Sequence, residues 1–204
     1  MPEPTTPTTD EDLLTRQDVL KAEATEVLDD LDLFERLGTV GRPVQTGSLA
    51  LGLMVWRDID VTVLCATLAV APIFEALRPL ALHPHVRRLL FRNDTGHWNT
   101  DPAYPDGLYW GLDYRAQPRL DWKLDVWFLR EGTTQFDLQH IESLPPRLTP
   151  ESRLAILRIK DAWHHRPEYG SEVRSYDIYE AVLDHDVRTP AEFEAHLGRR
   201  AQRG

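Results

Sequence analysis

The sequence predicts an α+β protein in which helices flank a group of strands and the C-terminal third is helical. Residues 10–38 and 149–197 repeat apolar side chains at helical spacing, behind acidic or capping residues, which is typical of amphipathic helices. Residues 86–129 instead carry alternating, β-branched and aromatic segments separated by turn residues, as strands do. The sequence shows no internal repeat, so these segments are expected to build one core rather than an array.

Length and composition are those of a folded protein with one main core. The 204 residues allow one sizeable core, or one domain with a small appendage. An apolar content of 42% and a charged content of 27% are ordinary for a soluble globular chain. We expect a Pro/Thr-rich disordered tail at residues 1–9, a core with an N-terminal helix at 10–145, and a helical C-terminal subdomain at 146–204.

The charge balance and the single cysteine exclude several classes of protein. With 33 acidic and 23 basic residues the net charge is −10, whereas a protein bound mainly to a nucleic-acid backbone usually has a basic surface. Long DNA or RNA is therefore disfavoured as a partner, and a small or cationic acceptor suits this charge better. Cys65 alone forms neither an intramolecular disulfide nor a cysteine-rich zinc site. We interpret His83 and His85 as surface residues, because they lack supporting cysteines and helical spacing.

Neither a signal peptide nor a membrane span is indicated. The N-terminus is acidic and rich in Pro and Thr, the reverse of a basic start followed by an apolar segment. Pro72, Glu75 and Arg78 interrupt the longest apolar stretch, which is too short to cross a bilayer. We therefore expect a cytoplasmic protein.

The elements of the N-terminal half are predicted from periodicity and from helix-terminating residues. Leucines and valines recur at threes, fours and sevens after Asp10, acids fill the first turn, and Gly38 supplies a helix stop. The predicted elements are a helix over 10–38 with a break near 29–32, a strand over 39–44, a short helix over 49–54, a strand over 58–65 and a helix over 66–81 that contains two prolines.

The C-terminal half begins with strands and ends with helices. Thr149 is a helix N-cap followed by a proline at the first helical position, and Thr189–Glu192 is a capping box. Residues 97–106 are predicted to form an ordered loop with exposed aromatic side chains. The predicted strands are 86–91, 107–114 and 120–129, and the predicted helices are 149–163, 175–183 and 189–197.

The stretch Gly47–Asp60 is not explained by packing alone. It contains a Gly-Ser pair, nine further residues, and two aspartates one residue apart inside an apolar run. On a strand, Asp58 and Asp60 share one face while Ile59 points into the core. Two adjacent carboxylates repel each other unless a cation lies between them, and Mg²⁺ takes hard oxygen ligands together with substrate phosphates. The glycine turn offers backbone N–H groups, and Ser48 a hydroxyl, to such phosphates.

This spacing resembles the signature of the nucleotidyltransferase superfamily that includes DNA polymerase beta. The signature begins with a hydrophobic residue, then Gly, then either Gly or Ser. After nine to thirteen further residues come Asp, a hydrophobic residue, either Asp or Glu, and a final hydrophobic residue. Gly47, Ser48, Asp58 and Asp60 fit it, whereas Thr46 departs mildly where a hydrophobic residue is expected. The resemblance implies a mixed β-sheet flanked by helices. It also implies transfer of a nucleoside monophosphate from a nucleoside triphosphate to an acceptor hydroxyl, with release of pyrophosphate.

The resemblance further implies a third carboxylate on a neighbouring strand. Asp121, Lys123 and Asp125 share one face of the strand predicted over 120–129. Asp125 is preferred because an apolar trio follows it, as expected deep in a sheet, whereas Asp121 lies close to the turn at Pro118. The alternative is that Asp125 forms an ion pair with Lys123 or Arg130 on an exposed sheet face.

The resemblance assigns roles to the candidate residues. Asp58, Asp60 and Asp125 would hold one or two Mg²⁺ ions that bridge the triphosphate, and Asp125 would help to deprotonate the acceptor hydroxyl. The structural alternative for Asp58 and Asp60 is a solvated strand end. The predicted nucleotide and phosphate ligands are Gly47, Ser48, Lys123 and Lys160.

We therefore expect a nucleotidyltransferase that uses Mg²⁺ and a nucleoside triphosphate, with ATP favoured as donor. A small molecule such as an aminoglycoside-type antibiotic is the expected acceptor, with a protein or a tRNA end as alternatives. The rival interpretation from another class is a non-catalytic nucleotide-binding protein, or a toxin–antitoxin component, that keeps the fold. The sequence does not indicate the oligomeric state.

Overall fold

A five-stranded sheet forms the centre of the unit Leu20–Pro145, one of two compact units into which the chain divides. The computed structural model describes residues 9–101, 104–118 and 120–201. The strands are β1 (Arg42–Thr46), β2 (Asp58–Cys65), β3 (Val86–Asp94), β4 (Gly107–Tyr114) and β5 (Trp122–Arg130). Their order is β1-β2-β5-β4-β3; β2 and β5 are parallel and the other neighbours antiparallel. The predicted α+β class and mixed sheet are confirmed.

Helices cover one face of this sheet. They are α1 (Asp10–Asp30), which begins outside the unit, α2 (Leu33–Gly38), α3 (Gly47–Leu51) and α4 (Val70–Leu77). A further helix of the unit, α5 (Phe136–Ser143), follows Gln135, which bonds to Thr62 on the other face. Ile59 and Val61 of β2 enter a hydrophobic core together with apolar side chains of β4, β5, α1, α2 and α4. Because side chains alternate along a strand, the polar residues between them lie on the opposite face.

The second unit, Met1–Val19 with Pro146–Gly204, is helical in its described residues. Its helices after α5 are α6 (Pro150–Trp163), α7 (Ser175–His185) and α8 (Pro190–Ala201). Thr149 caps α6 as predicted, accepting a hydrogen bond from the Ser152 N–H at 3.2 Å. The predicted domain boundaries stay a prediction, and residues 1–8 of the predicted tail lie outside the described residues. Across the described ranges, the helices lack the combination of length and apolar character that a bilayer span requires.

Two elements near the polar face begin at other residues than predicted. The strand predicted at 39–44 corresponds to β1, which begins only at Arg42. It begins later because the N–H groups of Val40 and Gly41 still donate to the Leu37 carbonyl at the end of α2. The short helix predicted at 49–54 is α3, which begins at Gly47, so the Gly-Ser pair forms its first turn. Thr46 consequently ends β1 and is the register partner of Asp60 on β2.

The remaining differences between the predicted and observed elements concern α4, α5 and the end of β3. The helix predicted over 66–81 is α4 followed by the 3-10 turn Arg78–Leu82, since Pro79 has no N–H to continue α-helical bonding. The helix α5 was not predicted, because its N-cap residue is Gln135 rather than Ser, Thr, Asp or Asn. The strand β3 extends three residues beyond its predicted end at 91.

Candidate active site

Three carboxylates lie side by side on the polar face of the sheet. Asp58 and Asp60 come from the start of β2, and Asp125 comes from the middle of β5. Asp60 is the direct register partner of Asp125, and Asp58 is that of Lys123. Neighbouring strands are about 4.8 Å apart, and register partners in a parallel pair share a face. We call Asp58, Asp60 and Asp125 the acidic group.

Gly47 is packed against this acidic group. Its φ of +63° lies in the left-handed region, which favours glycine. A Cβ at this position would lie 2.0 Å from Asp60 Oδ2, far inside van der Waals contact. The two halves of the Gly-Ser…Asp-x-Asp motif are therefore in contact, and the close approach excludes any side chain at position 47. Ser48 follows in the first turn of α3 and is buried.

Asp125 is held by two hydrogen-bond donors. The Tyr109 hydroxyl donates to Oδ1 at 2.5 Å, and Lys123 Nζ donates to Oδ2 at 2.5 Å. Gly111 is the register partner of Asp125 on β4, and a Cβ there would lie 2.7 Å from the Tyr109 hydroxyl. The absence of a side chain at position 111 thus lets the phenol reach the carboxylate. Burial, followed by the bond to Asp125, raises the pKa of Tyr109, so the phenol stays protonated as a donor.

A fourth carboxylate, Asp137, approaches the acidic group from α5. Gln135 Nε2 donates to Asp137 Oδ2 at 2.7 Å, and the Thr62 hydroxyl donates to Gln135 Oε1 at 3.4 Å. Thr62 lies two residues beyond Asp60, on the same face of β2. Burial raises the pKa of Asp137, while the charge of His140 acts in the opposite direction.

Mutual repulsion dominates the electrostatics of these carboxylates. Burial is the largest cause of a pKa of Asp60 well above its usual range. The charges of Asp58, Asp125 and Asp137 raise that pKa further, and the charge of Lys123 opposes them. Burial lowers the pKa of Lys123, but its bond to Asp125 and the surrounding carboxylates outweigh burial, so the net shift is upward. Lys123 therefore stays charged and partly balances the acidic group.

The structure separates the two candidates for the third carboxylate. Asp121 precedes β5 and is exposed, and Arg115 Nη2 donates to its Oδ2 at 2.8 Å. This hydrogen bond lowers the pKa of Asp121. Asp125, the preferred candidate, is the one that lies beside Asp60. It also pairs with Lys123, as the structural alternative for Asp125 expects, but only 16% of its side-chain surface is exposed.

Lys160 lies in the other unit, on α6. Its side chain is fully buried, and its Nζ lies 3.4 Å from the Tyr179 hydroxyl and 5.7 Å from the centre of that ring. Its role as a phosphate ligand stays a prediction.

Tyr109 and Asp137 were not predicted as members of this site. Alternation along β4 places Tyr109 and Gly111 on one face, yet only the strand register brings them to Asp125. Asp137 lies on the unpredicted helix α5, and an Asp in a helical first turn is common without any function.

Comparison with known proteins identifies the fold. No family model and no curated protein sequence matches the chain. A cytoplasmic RNA terminal U-transferase superposes with a TM-score of 0.53 and 18% identity, over 86% of this chain and 47% of its own. Cid1 in complex with its short product ApU has a TM-score of 0.56 and 18% identity, and the match covers 86% of this chain and 55% of Cid1. A MgATP-bound mutant of the Cid1 poly(U) polymerase has a TM-score of 0.57 and 18% identity, and the match covers 81% of this chain and 50% of the polymerase.

The chain has the polymerase beta-like nucleotidyltransferase fold. The resemblance found in the Gly47–Asp60 stretch is thereby confirmed at the level of the fold. The chain spans about half the length of these solved structures.

The contact between Gly47 and Asp60 gives a first prediction for this nucleotidyltransferase fold. We expect Gly47→Ala to lower the free energy of unfolding by more than the about 1–2 kcal/mol that a left-handed backbone alone costs a residue with a Cβ. The additional loss arises because the Cβ displaces the Asp60 carboxylate. Chemical denaturation of both proteins measures the difference.

Gly96→Ala is the matched control for this substitution. Gly96 has a φ of +58°, close to that of Gly47, but no heavy atom lies within 4 Å of a Cβ placed there. Gly96→Ala therefore measures the stability cost of a Cβ in the left-handed region alone, without a steric clash. Equal losses in the two variants would show that Asp60 is not what excludes a side chain at position 47.

The raised pKa of Asp60 gives a second prediction. The folded state holds the Asp60 proton more tightly than the unfolded state, so Asp60 costs stability as pH rises above the usual aspartate pKa. In a metal chelator, Asp60→Asn should therefore raise the melting temperature at pH 7.5, and the gain should vanish towards about pH 3, where Asp60 is largely protonated in both states. Asp121→Asn is the control, because the pKa of Asp121 is lowered and its removal should not stabilise the protein. A melting temperature unchanged at pH 7.5 in Asp60→Asn would contradict the repulsion.

Proposed function

We propose that this protein is a metal-dependent nucleotidyltransferase that moves a nucleoside monophosphate from a nucleoside triphosphate to an acceptor hydroxyl. The observation that carries this proposal is the acidic group with the Gly47 backbone packed directly on Asp60. The structural neighbours support it, since their names describe an RNA terminal U-transferase and a poly(U) polymerase. Both are enzymes of this general reaction class.

The acidic group fits Mg²⁺ in its chemistry. It offers carboxylate oxygens from adjacent strands, which are the hard ligands that Mg²⁺ prefers, and their repulsion is relieved by a cation. Asp58, Asp60 and Asp125 would hold the ion. When bound, Mg²⁺ supplies positive charge to the triphosphate and to the charge that builds up during transfer. The MgATP-bound neighbour supports this choice of metal, and ATP is our proposed donor.

Asp125 is the residue that we assign to the acceptor hydroxyl. Its carboxylate is fixed at both oxygens by Tyr109 and Lys123, so its orientation is set before a substrate arrives. In the proposed reaction the acceptor hydroxyl gives up its proton towards Asp125 as its oxygen attacks the α-phosphate, and the bond to the β-phosphate breaks to release pyrophosphate. Tyr109 stays protonated in this role and acts by positioning Asp125.

The triphosphate meets two groups of donors in this proposal. The Gly-Ser turn provides backbone N–H groups and the Ser48 hydroxyl for the β- and γ-phosphates, beside Asp60. Lys123 is 55% exposed and reaches Asp125 in this structure. Once a cation balances the carboxylates, Lys123 is available for a phosphate. Lys160 is retained as a proposed phosphate ligand from the helical unit.

A small-molecule acceptor is the finer part of the proposal. The net charge of −10 disfavours a long nucleic-acid acceptor, although the neighbours named above act on RNA. Four carboxylates near the transfer site favour an acceptor that carries amino groups, as aminoglycoside-type antibiotics do.

Calorimetric titration tests the donor site first. ATP, GTP, CTP and UTP are titrated separately into the protein with Mg²⁺ and with a chelator. We expect Mg²⁺-dependent binding of a triphosphate, with ATP favoured, and its loss in Asp58→Asn/Asp60→Asn. Equal binding by the double variant would contradict the assignment of the acidic group. Binding that requires Mg²⁺ but never gives turnover would favour the rival interpretation, a non-catalytic nucleotide-binding protein.

Pyrophosphate release tests transfer and names the acceptor class. Aminoglycosides, short RNA and a protein acceptor are offered in separate reactions with Mg²⁺ and ATP. Asp58→Asn, Asp60→Asn and Asp125→Asn should each lose about 10³-fold in rate, because the charge stabilisation at stake is several kcal/mol. Asp121→Asn should stay within about threefold of the parent, because Arg115 already holds that exposed carboxylate. A severe loss in Asp121→Asn alone would reverse our assignment of the third carboxylate.

A further inference from the structure

Two histidines and an aspartate meet on the other face of the sheet. Asp30 ends α1, and His83 and His85 precede β3. His85 Nδ1 lies 3.0 Å and His83 Nε2 lies 3.6 Å from Asp30 Oδ2. One ligand atom from each residue lies within 4.8 Å of the other two. The side chains of His83 and His85 are 20% and 37% exposed, and the interpretation of both as surface residues did not anticipate that they meet Asp30.

Tyr114 of β4 organises this cluster. Its hydroxyl donates to Asp30 Oδ2 at 2.7 Å and lies 3.4 Å from His85 Nδ1. Its ring is stacked on His83 at 6.2 Å and lies edge-on to His85 at 5.6 Å. The bond from Tyr114, followed by that from His85, lowers the pKa of Asp30, so the carboxylate stays charged. A buried aromatic donor thus fixes the carboxylate and both imidazole rings.

We propose that Asp30, His83 and His85 form a binding site for a zinc-class divalent cation, separate from the acidic group. Imidazole nitrogen with carboxylate oxygen is a donor set that suits Zn²⁺ and its neighbours in the first transition row, whereas Mg²⁺ prefers oxygen alone. Three protein ligands leave the fourth position to water.

The distances between ligand atoms fit such an ion. Zinc lies about 2.0–2.1 Å from its ligands, so ligand atoms of a tetrahedral site are about 3.3 Å apart. The two separations from Asp30, 3.0 and 3.6 Å, bracket that value. Tyr114 then occupies the outer position in which a hydrogen-bond donor orients a ligating carboxylate.

The placement of the ring protons changes when the cation binds. A metal takes neutral imidazole, so His85 would bind through Nδ1 with its one ring proton on Nε2, and coordination would replace the contact between Nδ1 and Asp30. At His83 the ring proton moves to Nδ1, which gives up the 3.3 Å hydrogen bond from the His85 N–H. This bond is long for a hydrogen bond from an N–H group, so a small adjustment of the segment completes the site.

The site links segments that are distant in the chain. Asp30 and His85 are 55 residues apart, and the cation joins the last turn of α1 to the start of β3. Tyr114 belongs to the hydrophobic core face of the sheet, whereas Gly111, the partner of Asp125, has the opposite orientation in β4. The proposed cation site therefore lies on the other face of the sheet from the acidic group and is distinct from the proposed Mg²⁺ site.

Zinc titration of the untagged full chain in excess Mg²⁺ tests the proposal. The excess Mg²⁺ competes for the acidic group and leaves the histidines to Zn²⁺. We expect one Zn²⁺ per chain by calorimetry, and a melting temperature about 5 °C higher at Zn²⁺ 100-fold above its dissociation constant. X-ray absorption at the zinc edge should show nitrogen and oxygen ligands at about 2.0–2.1 Å and no sulfur.

Variants assign the site to these residues. His85→Ala and Asp30→Asn should each lose the calorimetric signal and the thermal shift, whereas His97→Ala, which removes an exposed histidine, should keep both. Asp58→Asn/Asp60→Asn should also bind Zn²⁺ normally, so failure of the magnesium assignment and failure of this one are distinguishable. Absence of binding by the parent protein, or equal binding by His85→Ala, would show that the cluster is held by hydrogen bonds alone. Should His85→Ala fail to fold, sulfur ligands or fewer than two imidazoles in the parent's absorption spectrum would overturn the proposal.

Discussion

The parallel register of β2 and β5 is the constraint on which the candidate active site depends. It places Asp60 opposite Asp125 and Asp58 opposite Lys123, so three carboxylates and one ammonium share a small area of one face. A slip of one residue would turn either set of side chains into the core. The alternation of Ile59 and Val61 with these aspartates fixes the register, because the apolar side chains must stay buried.

The same face shows how a fold holds an unfavourable charge arrangement. Asp60 is partly buried among like charges, which costs free energy in the absence of a cation. The Lys123 ammonium offsets part of that cost, and the Tyr109 phenol adds a hydrogen bond to Asp125. Two glycines make the arrangement possible because they have no side chain. Gly47 lets its own backbone pack against Asp60, and Gly111 lets the Tyr109 hydroxyl reach Asp125. Stability and ligand binding therefore place opposite demands on the same few positions.

Local patterns predicted much of the fold and singled out the aspartates that the register brings together in the candidate site, and long-range contacts account for what they missed. The strand Asp58–Cys65 was predicted at its observed bounds, and the helix behind the Thr149 cap was predicted to its observed end at Trp163, because alternation and a Thr-Pro cap are local signals. Asp137 lies on a helix with no usual cap, so its position was not predicted. The His83 and His85 pair became a three-residue cluster only through Asp30, which no spacing rule connects to them.

The pairing of β2 with β5 also has a consequence for how the protein folds. The pairs β1–β2, β3–β4 and β4–β5 join strands that follow one another in sequence, whereas β2 and β5 are separated by α4, β3 and β4. Closing so long a segment carries the larger entropy cost, so this pairing is the slow step expected of a parallel crossover. Asp60 meets Asp125 only when that step is complete. A chain that has formed its local hairpins alone does not yet hold Asp60 beside Asp125, so the proposed Mg²⁺ site would exist only in the finished sheet.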